Sequence, residues 1–71
     1  MARIDFKLKT EFVELDNMLK ALHLVASGAH ARQCIQSGSI KINGHVETRV
    51  RRKLRAGDSV EFGQEQISIV A

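Results

Sequence analysis

Seventy-one residues, 44% of them hydrophobic, carry a formal charge of +3, with no proline and one cysteine. That is enough chain for one domain with a small core, and too little for a deep cleft between two lobes. The single cysteine excludes an internal disulfide and the usual multi-cysteine zinc sites, and no apolar run approaches the roughly 20 residues of a membrane-spanning helix. The expectation is one domain over residues 1–71, with no membrane and no cofactor. A cytoplasmic location is expected, because a small domain without disulfides suits a reducing compartment and the N-terminus has no apolar leader segment.

Ile4, Phe6 and Leu8 alternate with Arg3, Asp5, Lys7 and Lys9. Period two predicts a strand with one buried face, and the charged outer face suits a sheet edge. The period then changes. Leu15, Met18, Leu19 and Leu22 share one helical face and predict a first helix over about residues 14–23. Glu14 and Asp16 near its start and Lys20 and His23 near its end complement the helix dipole. A link of a few residues, 24–26, leads to a second helix with Ser27 as N-cap and Gly38 just past its end. Ala31, Cys34 and Ile35 form its apolar stripe. Ile40 and Ile42 restore period two. Asn43-Gly44 signals a two-residue hairpin, since both central residues of a type I′ turn need positive φ. Residues 45–48 are the returning strand, 49–55 a loop or irregular strand, and Ala56-Gly57-Asp58 a turn. Residues 59–62 and 66–70 are the last strands, joined at Gly63-Gln64-Glu65. The fold class is α+β, with two short helices in a helix–turn–helix-like pair.

The run Arg49-Val50-Arg51-Arg52-Lys53-Leu54-Arg55 holds five cations and no acid. Removing five positive charges from +3 leaves −2, so the basicity is one local patch. Val50 and Leu54, four apart, are expected to anchor the loop on the sheet, leaving the heads of Arg51 and Arg52 in solvent. Such a patch is the footprint of a phosphate-backbone binder, because each cation that neutralises a phosphate releases a condensed counterion. Arginine adds a planar fork that matches phosphate oxygens. The plainer alternative is a solvated loop that only aids solubility, a common fate of charge runs.

Ser27-Gly28 opens the second helix. Free amides and the dipole there suit an anion, and Gly28 lets a phosphate approach the backbone; a simple N-cap is the alternative. Arg32, one turn on, is placed to reach the same strand of nucleic acid, and Lys41 to extend the surface. His30 is a further contact candidate. His23, His30 and His45 offer no chelating pair, Cys34 reads as a small core hydrophobe, and Asp16, Glu47 and Asp58 form no acid–base set. No catalysis and no metal are expected. There is no Trp or Tyr, and Phe6, Phe12 and Phe62 all occupy apolar periodic positions that predict core. Without an aromatic platform for stacking bases, backbone geometry in a duplex, stem or junction is the expected target rather than a single-stranded sequence.

From Leu15 to Asp58 the chain resembles the RNA-binding domain family named after ribosomal small-subunit protein S four. The matching pieces are Leu15-Asp16-Asn17-Met18-Leu19, Ser27-Gly28-Ala29-His30-Ala31-Arg32, Ile35-Gln36-Ser37-Gly38-Ser39-Ile40-Lys41-Ile42-Asn43-Gly44 and Lys53-Leu54-Arg55-Ala56-Gly57-Asp58. Ser-Gly at 27–28, with Glu47-Thr48-Arg49 and the basic run, is similar to the short stand-alone bacterial group (YbcJ-like). The resemblance implies two helices packed on a small, curved, mostly antiparallel sheet of four to five strands. It also implies binding of RNA, ribosomal RNA included, by the helix pair (the αL motif) and the adjoining loop. Many family members have Arg where this chain has Gly28, so one phosphate contact is expected to be missing. The RNA-binding set is then Ser27, Gly28, His30, Arg32, Lys41, Arg49, Arg51, Arg52, Lys53 and Arg55, on a monomer. The rivals are a protein-interaction module docking an acidic partner through the loop, and a DNA-binding helix–turn–helix protein. A small enzyme is a third.

Overall fold

The computed structural model describes residues 2–71. In chain order the elements are β1 (Ala2–Lys7), β2 (Val13–Glu14), α1 (Leu15–Ala21), α2 (Gly28–Gln36), β3 (Ile40–Ile42), β4 (His45–Val46), β5 (Lys53–Leu54), β6 (Ser59–Phe62) and β7 (Glu65–Val70).

The apolar face of α1 is Leu15, Met18 and Leu19, all fully buried. The helix stops at Ala21 rather than at the expected residue 23, because His23 turns left-handed with φ 57°. Its amide donates to Lys20 O and that of Leu24 to Leu19 O, each at 3.0 Å, which satisfies the last carbonyls in a Schellman ending. At the other end Glu14 offers no side-chain cap. The amides of Leu15 and Asp16 instead donate to Arg52 O (2.9 Å) and Val50 O (3.2 Å). The basic loop therefore caps α1 through its backbone, and two orphan donors of the helix start find partners.

Helix α2 follows its sequence signals closely. Ser27 Oγ accepts the His30 amide at 3.1 Å. Gly38, at φ 82°, permits a second Schellman ending, in which its amide donates to Ile35 O and that of Ser39 to Cys34 O. Ala31 and Ile35 are buried and Cys34 is half-buried against the core.

Five strands form one sheet in the order β1-β7-β6-β3-β4, and β2 and β5 form a separate antiparallel ribbon. The β1–β7 pairing is parallel and the other three are antiparallel. The α+β class and the edge position of β1 match expectation. The ribbon takes Glu14 from the expected helix start, and its other strand, Lys53–Leu54, falls within the stretch read as a loop or irregular strand. Ile40, Ile42, Val60, Ile67 and Ile69 join the buried helix residues and Leu54 in one core. Phe6 and Phe62 pack against that core, but Phe12 lies outside it, which corrects its assignment as a core residue.

The first hairpin is as the sequence predicts, with Ile42 opposite His45 and φ of 52° at Asn43 and 85° at Gly44. Strand β4 ends at Val46 rather than at 48, although the Glu47 amide still donates to Ile40 O at 2.9 Å as the next rung of the β3–β4 register. Strand β7 begins at Glu65, opposite Phe62, so the second turn has two residues instead of three. The tip of the first hairpin is tied to the turn after the basic run. Asn43 exchanges bonds with Ser59, donating its amide to Ser59 O (2.8 Å) and accepting the Ser59 amide on Oδ1 (3.0 Å). Its Nδ2 donates to Asp58 Oδ1 (3.1 Å), and Asp58 Oδ2 accepts the Arg55 amide at 2.8 Å.

Gly44→Val isolates the backbone cost of the turn, since no atom lies within 4 Å of where a Cβ would stand. We expect a loss of about 1 kcal/mol or more in chemical unfolding, because a β-branched residue resists positive φ. An unchanged midpoint would be incompatible with the observed turn.

Candidate nucleic-acid interface

The basic run folds around one carboxylate. Val50 packs partly on the core and Leu54 is fully buried, so the two anchors behave as expected. Between and beside them, Arg49, Arg51, Arg52 and Lys53 line an open hollow of about 450 Å³. Two of these arginines hold Glu47, only 9% exposed. It accepts from the Arg49 amide (3.0 Å), Arg49 Nε (3.0 Å), Arg49 Nη2 (3.1 Å) and Arg52 Nη1 (3.3 Å). The bidentate hydrogen bond from Arg49, helped by the charges of Arg49 and Arg52, outweighs desolvation and holds the Glu47 carboxyl at about 2, against an ordinary 4.5.

Glu47 corrects two expectations. The field of the run is neutralised in part: one carboxylate against five cations leaves a net of four positive charges. And Arg52 does not stand in solvent, since its side chain is 27% exposed where that of Arg49 is 75% exposed. Arg51 does point outward as expected. Among the described residues, the ion pairs are those of Glu47 with Arg49 and Arg52, so Arg51, Lys53 and Arg55 have no acidic partner within 4.0 Å. The importance of Glu47 had one signal in the sequence: it stands two residues before Arg49, within reach of a bidentate grip.

Asp58 is also more than a turn residue. Burial pushes its carboxyl up, but bonds from the Arg55 amide and Asn43 more than offset this and lower it below the ordinary value. It thereby fixes the end of the basic run against the first hairpin.

The second cluster lies at the start of α2. Ser27 caps the helix, and His30 folds back so that its Nδ1 accepts the Ala26 amide at 3.1 Å. Lys20, at the end of α1, brings Nζ to within 3.9 Å of where a Gly28 Cβ would be. The sequence reading missed Lys20 as a site residue, because only the packing of α1 on α2 brings it there. Arg32 is exposed on α2. The two clusters sit at opposite ends of α1: the loop caps its start, and Lys20 marks its end. Helix α1 itself, seven residues and about 10 Å long, spans the interval.

Lys41 stands apart. In β3 it alternates with the buried Ile40 and Ile42, so it is on the sheet face away from the core, between Glu61 and Val46 in register. The described residues contain no group of three or more His, Cys, Asp or Glu placed to hold a metal, and no helix long and apolar enough to cross a membrane.

Glu47→Gln should lower the unfolding midpoint at neutral pH, because Arg49 and Arg52 lose their shared anion. The folded carboxyl is depressed, so its stabilisation is complete above the unfolded value of 4.5 and disappears as pH falls toward about 2. The gap between parent and variant should therefore be constant above that value and close below it. A gap that persists unchanged at pH 2 would exclude this origin.

The S4 domain family matches residues 6–70. YbcJ of Escherichia coli K12 is 41% identical over 63 residues, which span 89% of this chain and 90% of that protein. Small ribosomal subunit protein uS4 of Lawsonia intracellularis is 39% identical over 59 residues, 80% of this chain but 28% of its own length. The solution structure of YbcJ from E. coli, described as revealing an αL motif involved in RNA binding, aligns with TM-score 0.69 and 39% identity. The alignment covers 100% of this chain and 89% of that one.

Proposed function

Because the chain belongs to the S4 domain family, we propose that it binds structured RNA through phosphate contacts from the 49–55 loop and the start of α2. The observation that carries this reading is the open hollow lined by Arg49, Arg51, Arg52 and Lys53, whose net charge Glu47 reduces but does not cancel. Arg51, Lys53 and Arg55 supply unpaired cations. Arg49 keeps most of its surface exposed while Glu47 fixes its guanidinium, so it meets a phosphate with little rotamer freedom left to lose. Lys20, Ser27, Gly28 and Arg32 form a second contact point at the other end of α1. One RNA running along α1 can therefore touch both.

His30 acts mainly by bracing the start of α2, and Lys41 lies outside this surface. The reading is of binding without catalysis, by a single domain. Ribosomal RNA is the first target to test, an analogy drawn from the ribosomal relative.

A labelled RNA hairpin and a single strand of equal length make the test. The hairpin should bind more tightly, with a log–log salt slope of very roughly −2 to −4 for three to five phosphate contacts. Arg51→Glu should cost roughly tenfold or more in affinity while moving stability by no more than about 0.5 kcal/mol, since the residue is exposed and unpaired. Arg52→Glu is a poorer probe, because it sets a second carboxylate against Glu47. A flat salt response, or an Arg51→Glu protein that binds as the parent does, would leave the loop as a solvated face.

A further inference from the structure

Phe12 is the phenylalanine that the core does not use. It is half-buried, immediately before β2. The ribbon pairs Val13 with Leu54 and Glu14 with Lys53, so the same register sets Phe12 opposite Arg55, with Lys53 diagonal on that face. Lys53 Nζ lies 4.8 Å and the Arg55 guanidinium carbon 5.6 Å from the ring centroid. The ring also forms part of the wall of a hollow of about 190 Å³, lined by Phe6, Leu8, Lys9, Thr10, Phe12 and Val13. The Thr10 hydroxyl donates to Phe12 O at 2.9 Å and steadies this turn. No carboxylate lines the hollow. Lys53 belongs to both places, lining the phosphate hollow and covering Phe12.

We propose that the Phe12 hollow receives one unpaired nucleobase of the bound RNA, with the adjoining phosphate held by Lys53 and Arg55. This rests on the RNA-binding reading above. The chemistry of the wall selects the occupant. An aromatic ring and aliphatic side chains accept the face of a base, and Lys9 in the wall with Lys53 and Arg55 over the ring favour an anion attached to it. A paired base cannot reach the hollow, because its faces are stacked within the helix. A run of unpaired bases has no second platform, since Phe6 lines this same hollow, Phe62 packs against the core, and the chain has no Tyr or Trp. One flipped or bulged nucleotide beside a stem satisfies all of these conditions, and it refines structured RNA to stems with an interruption.

The test compares a fully paired RNA hairpin with the same hairpin carrying one bulged nucleotide, using the full chain. The bulged form should bind about tenfold more tightly. Phe12→Leu, which keeps an apolar wall but loses the ring, should reduce the bulged form to the affinity of the paired one. Phe12→Tyr should keep the preference, and thermal melting of both variants confirms that they fold. Equal affinity of the parent for the two hairpins overturns the base site and leaves the phosphate surface standing. So does a preference that survives Phe12→Leu. Failure of both hairpins to bind overturns the RNA-binding reading itself. Displacement of both hairpins by an acidic, aromatic peptide that binds more tightly through Phe12 would assign the hollow to a protein partner instead.

Discussion

A single carboxylate shapes the basic loop. Glu47 takes four hydrogen bonds from residues 49 and 52, and it does so almost out of contact with water. Five cations within seven residues repel one another, and a free loop would spread them. Glu47 removes one charge and holds two arginines, so the turn from Arg49 to Arg52 can close, with the Arg52 amide donating to Arg49 O at 3.3 Å. That closed turn presents the carbonyls of Val50 and Arg52 to the start of α1. The cap of the first helix and the shape of the cationic hollow therefore have a common cause.

The cations divide into two kinds. Arg49 and Arg52 are tied to Glu47; Arg51, Lys53 and Arg55 are not. The tied pair gives the surface its shape, and the free three give it most of its unshielded field. Two further supports hold the run at its far end. Leu54 is buried in the ribbon with Val13, and Asp58 grips the Arg55 amide while Asn43 grips Asp58. A loop fixed at both ends loses little conformational entropy on meeting a ligand, which is how such a small domain can offer a defined surface.

The same ribbon explains why Phe12 has a different environment from the other two phenylalanines. Pairing of β2 with β5 places it across from the cations instead of above the core. An aromatic ring and a lysine of the cationic hollow then occupy neighbouring positions, although 41 positions separate Phe12 from Lys53 in the chain.

Local chemistry determined much of this protein. The spacing of Leu15, Met18 and Leu19, the Ser27 cap, Gly38, and the Asn43-Gly44 turn each specify backbone conformation within a few residues, and each stands where its pattern places it. The clustered charge of residues 49–55 was equally plain, because it is contiguous. What tertiary structure alone decided are the contacts between segments far apart in sequence. The parallel pairing of β1 with β7, the β2–β5 ribbon, the bond between Asn43 and Asp58, and the approach of Lys20 to Gly28 leave no periodic trace. Glu47 is the boundary case: its partners are near in sequence, but its grip depends on burial, and only the packed core could take that carboxylate out of water.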